Sequence, residues 1–234
     1  MATFGGPRFP GIENGLVFAV DPLNQESWTG PDSAVVNNIP PLSSTISGSI
    51  YNDTSGSFGI SSSFEFDGID DYIELNNDSS LDIFGGDFSV VFWFRHTNSS
   101  GAARPLVQVA GFTNKMVASL GFTSNTGVGL AFGTNGSSSP WYYNAGSGFN
   151  DGNWHHMVAT RTGSTVKIYV DNIDTSFSSG GAYDIGTVNR IASGRTALAY
   201  FPGDIGPILF YNRVLSPSEV TQNYNALKGR FGLS

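Results

Sequence analysis

Five of the nineteen acidic residues of this chain fall in one stretch of thirteen, SFEFDGIDDYIEL at positions 63–75: Glu65, Asp67, Asp70, Asp71 and Glu74. Three chemistries use carboxylates in this way. A catalytic pair needs two carboxyls whose environments push their pKa values apart. A calcium cage needs several hard oxygens from acids, amides and backbone carbonyls. Turn chemistry needs an Asp-Gly step, with glycine supplying positive φ and Asp side chains accepting hydrogen bonds from nearby backbone N–H groups. On the last reading the stretch is strand, turn, strand. Phe64 and Phe66 enter a core, and Asp67–Gly68 makes the turn. Asp70 and Asp71 then satisfy backbone donors near the start of the second strand. Ile73 and Leu75 share one of that strand's faces, Tyr72 and Glu74 the other.

Two other groups invite a functional reading. His155 and His156 are adjacent, but strand neighbours point to opposite faces, so a regular strand cannot aim both at one ion. Trp141, Tyr142 and Tyr143 are consecutive within a Ser- and Gly-rich stretch at 135–153, expected to be a loop. Exposed aromatic rings there can stack on sugar faces, pack against a neighbouring subunit, or fold back on the domain. No Ser-His-Asp set, phosphate loop or zinc spacing is present, and there is no cysteine.

These residues need strands to hold them. The stretch at 87–96, DFSVVFWFRH, is apolar on both parities and reads as a central strand covered on both sides. Residues 153–172 read as a hairpin turning at Thr162–Gly163. Its second strand points Val166, Ile168 and Val170 inward and Lys167 and Asp171 to water. Pro207, in the last strand, must sit at an edge, bulge or strand start, because it cannot donate to a ladder. One helix is signalled near 217–228. Ser216 is the N-cap, Pro217 opens the first turn, and Glu219 completes a capping box. Val220, Tyr224 and Leu227 form its apolar stripe, and Gly229 is its expected stop. Many short strands and one helix predict an all-β, two-sheet antiparallel jelly-roll sandwich with one short C-terminal helix. Residues 15–234 are expected to form a single domain. Residues 1–14 are rich in Gly and Pro and read as an extended arm, whose Phe4 and Phe9 need a surface to bury against.

Composition narrows the function. The net charge is −8, only 13% of residues are charged, and no basic cluster exists. Nucleic acid is therefore a poor partner. The longest apolar runs fall far short of the roughly 20 residues of a membrane span, so no membrane insertion is expected. The N-terminus has no apolar core of a signal peptide.

Four stretches, taken in order, resemble the laminin G-like family within the concanavalin A-like lectin and glucanase jelly rolls. They are FEFDGIDDYIEL, FSVVFWFR, DGNWHHMVATRTGSTVKIYVDN and FPGDIGPILFYNRVLSPSEV, together covering about residues 58–228. The resemblance implies a sandwich that binds ligands through rim loops and, in several relatives, calcium at the rim. Asp67, Asp70 and Asp204 are the candidate Ca2+ ligands. Trp141, Tyr142 and Tyr143 are the candidate carbohydrate-binding or interface residues. Retaining glucanases of this superfold carry Glu-x-Asp-x-x-Glu on one strand. Glu65-x-Asp67-x-x-Asp70 departs from it in the last acid, and the Asp-Gly turn would break the strand that aligns the set, so no catalytic residue is assigned and no enzyme is expected.

The opening FGGPRF…GLVFAVDP and the close QNYNALKGRFGLS resemble laminin G-like proteins of tailed bacteriophages. That implies a non-enzymatic virion surface protein, a capsid decoration or a fibre or adhesin. It would be made in the host cytoplasm and would contact other virion proteins, copies of itself or glycans. The alternatives are a carbohydrate-binding lectin module and, further off, a glucan hydrolase.

Overall fold

The most apolar stretch becomes the most central strand. In this computed structural model β6 (Phe88–Arg95) lies between β15 (Pro202–Tyr211) and β11 (His155–Thr162), and all its residues but Arg95 are buried. The structure describes residues 11–22, 35–37, 47–51, 63–75, 85–97, 104–109, 116–120, 128–132, 141–144, 148–163, 165–175, 188–193 and 200–234. Phe4 and Phe9 lie outside them.

The first sheet runs β1-β15-β6-β11-β12-β13, with β1 at Leu16–Val20, β12 at Thr165–Val170 and β13 at Ile173–Asp174. The flank of β15 away from β6 is shared: β4 (Phe64–Asp67) pairs its first half and β1 its second. The second sheet runs β10-β9-β8-β7-β14-β5-β3-β2. Its strands are β2 (Val35–Asn37), β3 (Ser47–Tyr51), β5 (Tyr72–Leu75), β7 (Arg104–Val109), β8 (Met116–Leu120), β9 (Val128–Phe132), β10 (Trp141–Asn144) and β14 (Val188–Ile191). All neighbouring strands are antiparallel, so the chain is a two-sheet sandwich with one short C-terminal helix among the described residues, as its spacing predicted.

Pro207 sits where the register of β15 against β6 slips between Ile205 and Ile208. The bulge absorbs the missing N–H inside a central strand. Helix α1 (Pro217–Leu227) starts at Ser216, whose Oγ accepts from the Glu219 N–H while Glu219 accepts from the Ser216 N–H. Arg213 clamps both oxygens of Glu219 at 2.7 and 2.9 Å. That clamp pulls the Glu219 pKa down to about 2.

Several expectations are corrected. The strand, turn and strand at 63–75 form, but the two strands part: β4 joins the first sheet and β5 the second, so the Asp67–Gly68 turn carries the chain between layers. Such an arch lets Phe64, Phe66 and Ile73 all be buried from opposite sheets. The outer face of β12 is not wet throughout. Tyr169 is buried there with Trp93, Val220 and Phe231, because the C-terminal segment covers that side. Thr162 pairs with Thr165, so the hairpin reverses at Gly163, one step later than expected. Gly229 does not end the helical run, which continues as a 3-10 turn over Lys228–Phe231 to Gly232 at φ +74°. The extra turn brings Phe231 onto Trp93, ring centroids 4.5 Å apart. Trp141, Tyr142 and Tyr143 stand in strand β10, not in a loop, at the end of the second sheet's order among the described residues. Aromatic residues favour pleated backbone.

The inner end of the expected arm is fastened to the sandwich. The Ile12 N–H donates to Asn223 Oδ1 (2.8 Å), the Tyr211 hydroxyl donates to the Ile12 carbonyl (2.9 Å), and Asn223 Nδ2 donates to the Tyr211 hydroxyl (3.1 Å). Asn223 is 1% exposed. Replacing it with Ala leaves the Ile12 N–H without its partner and removes a donor to Tyr211, so Asn223→Ala should cost about 2–4 kcal/mol in denaturant unfolding. A cost below ~0.5 kcal/mol would show that the triangle does not hold the N-terminal segment.

Candidate functional site

Four chain segments meet at one rim of the sandwich. Pro202 stands opposite Asp67, and Asp204 opposite both Glu65 and Arg95, which brings the 67–71 turn and the end of β6 against the start of β15. The Gly152 N–H donates to the His96 carbonyl (3.1 Å), which adds the 148–154 segment.

The acidic turn is built tightly. Asp67 Oδ1 accepts from the Ile69 N–H (2.7 Å), and Asp71 Oδ2 accepts from the Asp67 N–H (3.0 Å). Gly68 turns at φ +80°, where a Cβ would lie 2.6 Å from Pro202 Cβ, so only glycine fits. Asp67, Asp70 and Asp71 each bring a carboxylate oxygen within 4.8 Å of the others. Asp71 is 1% exposed, and its Oδ1 is buried with no hydrogen-bond partner. Burial, then the charges of Asp67 and Asp70, outweigh the Asp67 N–H and push its pKa up to about 6. A buried carboxylate with an unused oxygen beside two more acids is the donor set a hard cation takes. These residues supply three of the roughly six to eight oxygens that a Ca2+ ion, implied by the resemblance in several relatives, takes.

The expected ligand set is only partly brought together. Asp204 is not among the three: it pairs with Arg95 Nε at 2.8 Å. Asp71 takes that place. The sequence carried the signal in its Asp70–Asp71 pair, but only the arch turns Asp71 inward toward the others. Glu65 and Asp67 belong to β4 while Asp70 stands on the turn, so the glucanase-like spacing does not lie along one strand.

His155 and His156 diverge, as alternation requires. His155 Nδ1 is 2.8 Å from Asp171 Oδ2, and Nε2 is 3.2 Å from Asp151 Oδ1. Burial works against its charge, but Asp171 and then Asp151 outweigh it and hold the pKa above the ordinary value. His155 is thus a strut between the 148–154 segment and the Asp171 turn. His156 is fully buried against Trp93 and Tyr224, and desolvation lowers its pKa to about 3.

Between these struts opens a cleft of about 400 Å3, lined by Arg95, His96, Thr97, Gly152, Gly203 and Asp204. Gly203 has φ +140°, and a Cβ there would collide with the Arg95 carbonyl and come within 2.8 Å of His96 Cβ. The Arg95 guanidinium lies over the Trp154 ring, 5.2 Å from its centroid. His96 is 6% exposed and packs against Phe94 and Phe201. Desolvation, then the charge of His155, takes its pKa down to about 4. Sequence reading missed this cleft. Its only local trace is the polar Arg-His end of an otherwise apolar strand.

A family profile described as the concanavalin A-like lectin/glucanases superfamily matches residues 67–221, well over half of the chain. The chain belongs to this superfamily. No curated protein matches the sequence. Trypanosoma rangeli sialidase superposes with a TM-score of 0.63 at 16% identity, over 100% of this chain and 37% of that one. The same sialidase in complex with sialic acid gives 0.63 at 16%, over 95% and 34%. The binding domain of botulinum neurotoxin DC in complex with SialylT gives 0.64 at 10%, over 92% and 52%. The chain thus spans about a third of the sialidase chains and half of the toxin domain. These likenesses show the superfamily fold. They also correct one expectation. The same sandwich occurs within enzyme chains, so membership of the superfamily gives no ground for the exclusion of enzymatic activity drawn from sequence, and a likeness at 16% identity does not establish such activity. Among the described residues no helix is long and apolar enough to cross a membrane.

Proposed function

We propose that this domain is a glycan-binding module displayed on a bacteriophage virion, as a capsid decoration or in a fibre or tail adhesin. The observation that carries the glycan reading is the open cleft at the rim of a lectin-like sandwich, which sets the Arg95–Asp204 pair in a mixed polar and apolar lining. The solved neighbours named with sialic acid and SialylT share this fold, and support a glycan as the class of ligand without fixing its charge. The virion placement rests on the resemblance of the opening and closing segments to phage proteins. In that setting the protein reaches the virion surface after synthesis in the host cytoplasm. It contacts other virion proteins or copies of itself through the segment carrying Phe4 and Phe9. Trp141–Tyr143, on strand β10 of the second sheet, offer a further contact for a subunit or a sugar.

Calcium completes the rim on this reading. Asp67, Asp70 and Asp71 would hold it, and the ion would offset their mutual repulsion and stiffen the turn beside the cleft. Asp71→Asn tests this. At pH 7.5 the native state carries the Asp71 charge against a raised pKa, so the variant should be about 1–3 kcal/mol more stable without metal. It should also lose the rise in melting temperature that added calcium gives the natural chain. A natural chain indifferent to both calcium and chelator would remove the metal from the site. For function as a whole, a printed glycan array should retain the protein, and immunogold labelling should find it on purified virions. A chain retained by no glycan would end the binding reading, and unlabelled virions would end the placement.

A further inference from the structure

The rim cleft is electrically balanced. Its one fixed cation, Arg95, is paired with its one carboxylate, Asp204, through Nε and Oδ2 at 2.8 Å. His96 adds no charge at neutral pH, because its proton leaves far below that pH. Beside the cleft stand Asp67, Asp70 and Asp71 on one neighbouring turn, whose three carboxylates a bound calcium would offset only in part, and Asp151 on another. An anionic ligand would enter a neutral cleft ringed by acids. A neutral ligand meets no such field.

The pair also keeps unused hydrogen-bonding capacity. Nε is engaged, while the terminal guanidinium nitrogens have no hydrogen-bond partner among the described residues. Asp204 has its second oxygen similarly available. Arg95 is 42% exposed and Asp204 15%, so one side of each faces the cleft. Trp154 under the guanidinium, and the strand pairing of Arg95 with Asp204, hold both groups in place. A rigid donor fork beside a rigid acceptor matches a pair of hydroxyls, each of which both donates and accepts. The volume falls in the ~300–1,000 Å3 range of small-molecule sites.

We propose that the Arg95–Asp204 cleft binds a neutral saccharide, with Arg95 donating to and Asp204 accepting from adjacent hydroxyls of one sugar ring. The proposal rests on the glycan-binding reading above and names the class of sugar. The test uses the full chain on an array bearing neutral hexose-terminated, sialylated and uronate-bearing oligosaccharides, followed by calorimetric titration with the best-retained neutral one. Neutral glycans should be retained over acidic ones. Asp204→Asn and Arg95→Gln should each weaken binding tenfold or more. Thr97→Tyr, at an exposed residue of the cleft, should obstruct it to a similar extent without touching the ion pair, which guards against a folding defect in the other two. Preference for acidic glycans, or unchanged binding in Thr97→Tyr, overturns the proposal while leaving glycan binding itself intact. Retention of no glycan at all overturns both.

Discussion

Taking the protein from pH 7 to pH 5 should lower its melting temperature, and His96 and His156 are the reason. Both are buried, and desolvation depresses their pKa values to about 4 and about 3. In the unfolded chain each takes up a proton near the ordinary value of 6.5; in the native state neither does. Stability is therefore whole above pH 6.5 and is lost as the pH falls toward each folded value. At pH 5 each costs roughly 2 kcal/mol. Two groups oppose this. His155, with its pKa raised by Asp171 and Asp151, gains stability on protonation. Asp71, with its pKa near 6, returns about 1 kcal/mol as its charge is neutralised. The net loss is smaller than the sum of the two costs but keeps its sign. Thermal melts at pH 7, 6 and 5 read it directly. His156→Phe keeps an aromatic ring between Trp93 and Tyr224 and removes one titration, so its loss between pH 7 and 5 should be smaller by about 2 kcal/mol. A natural chain as stable at pH 5 as at pH 7 would contradict the account.

Trp93→Ala should be the most damaging single truncation on the helix-covered face. Trp93 is fully buried, with Phe231, His156 and Tyr224 at centroid distances of 4.5, 4.7 and 5.8 Å. Removing the indole leaves a cavity beneath the C-terminal helix and should cost about 3–5 kcal/mol. For a chain of this size that is a fall of about 6–20 °C. Phe231→Ala, at the edge of the same stack, should cost less. If Trp93→Ala melts within ~3 °C of the natural chain, the helix is not held by this stack.

Local signals in the sequence were readable where the physics is local. The capping box of Ser216 and Glu219 needs only residues three apart, and it forms as spelled. The two-sided apolarity of 88–95 marks a covered strand whatever its neighbours are. The missing N–H of Pro207 demands a break in a ladder, and the break is there. The rim was legible only in pieces. Asp67 and Asp70 were visible as acids in a turn. Arg95, His96 and Asp204 were not readable as a group, because more than a hundred residues separate the end of β6 from the start of β15.

By itself the sequence determined the sandwich, its central strands, its helix and the acid-rich turn, since periodicity, capping and turn chemistry act over a few residues. Tertiary structure decided the rest. It made the Asp67–Gly68 turn an arch between sheets, because burying Phe64, Phe66 and Ile73 from opposite layers removes more apolar surface from water than a hairpin with one wet side. That arch chose Asp71 over Asp204 as the third acid of the turn. The register of β15 against β6 gave Asp204 to Arg95 and so made the cleft, and register is a property of paired strands that neither strand carries alone.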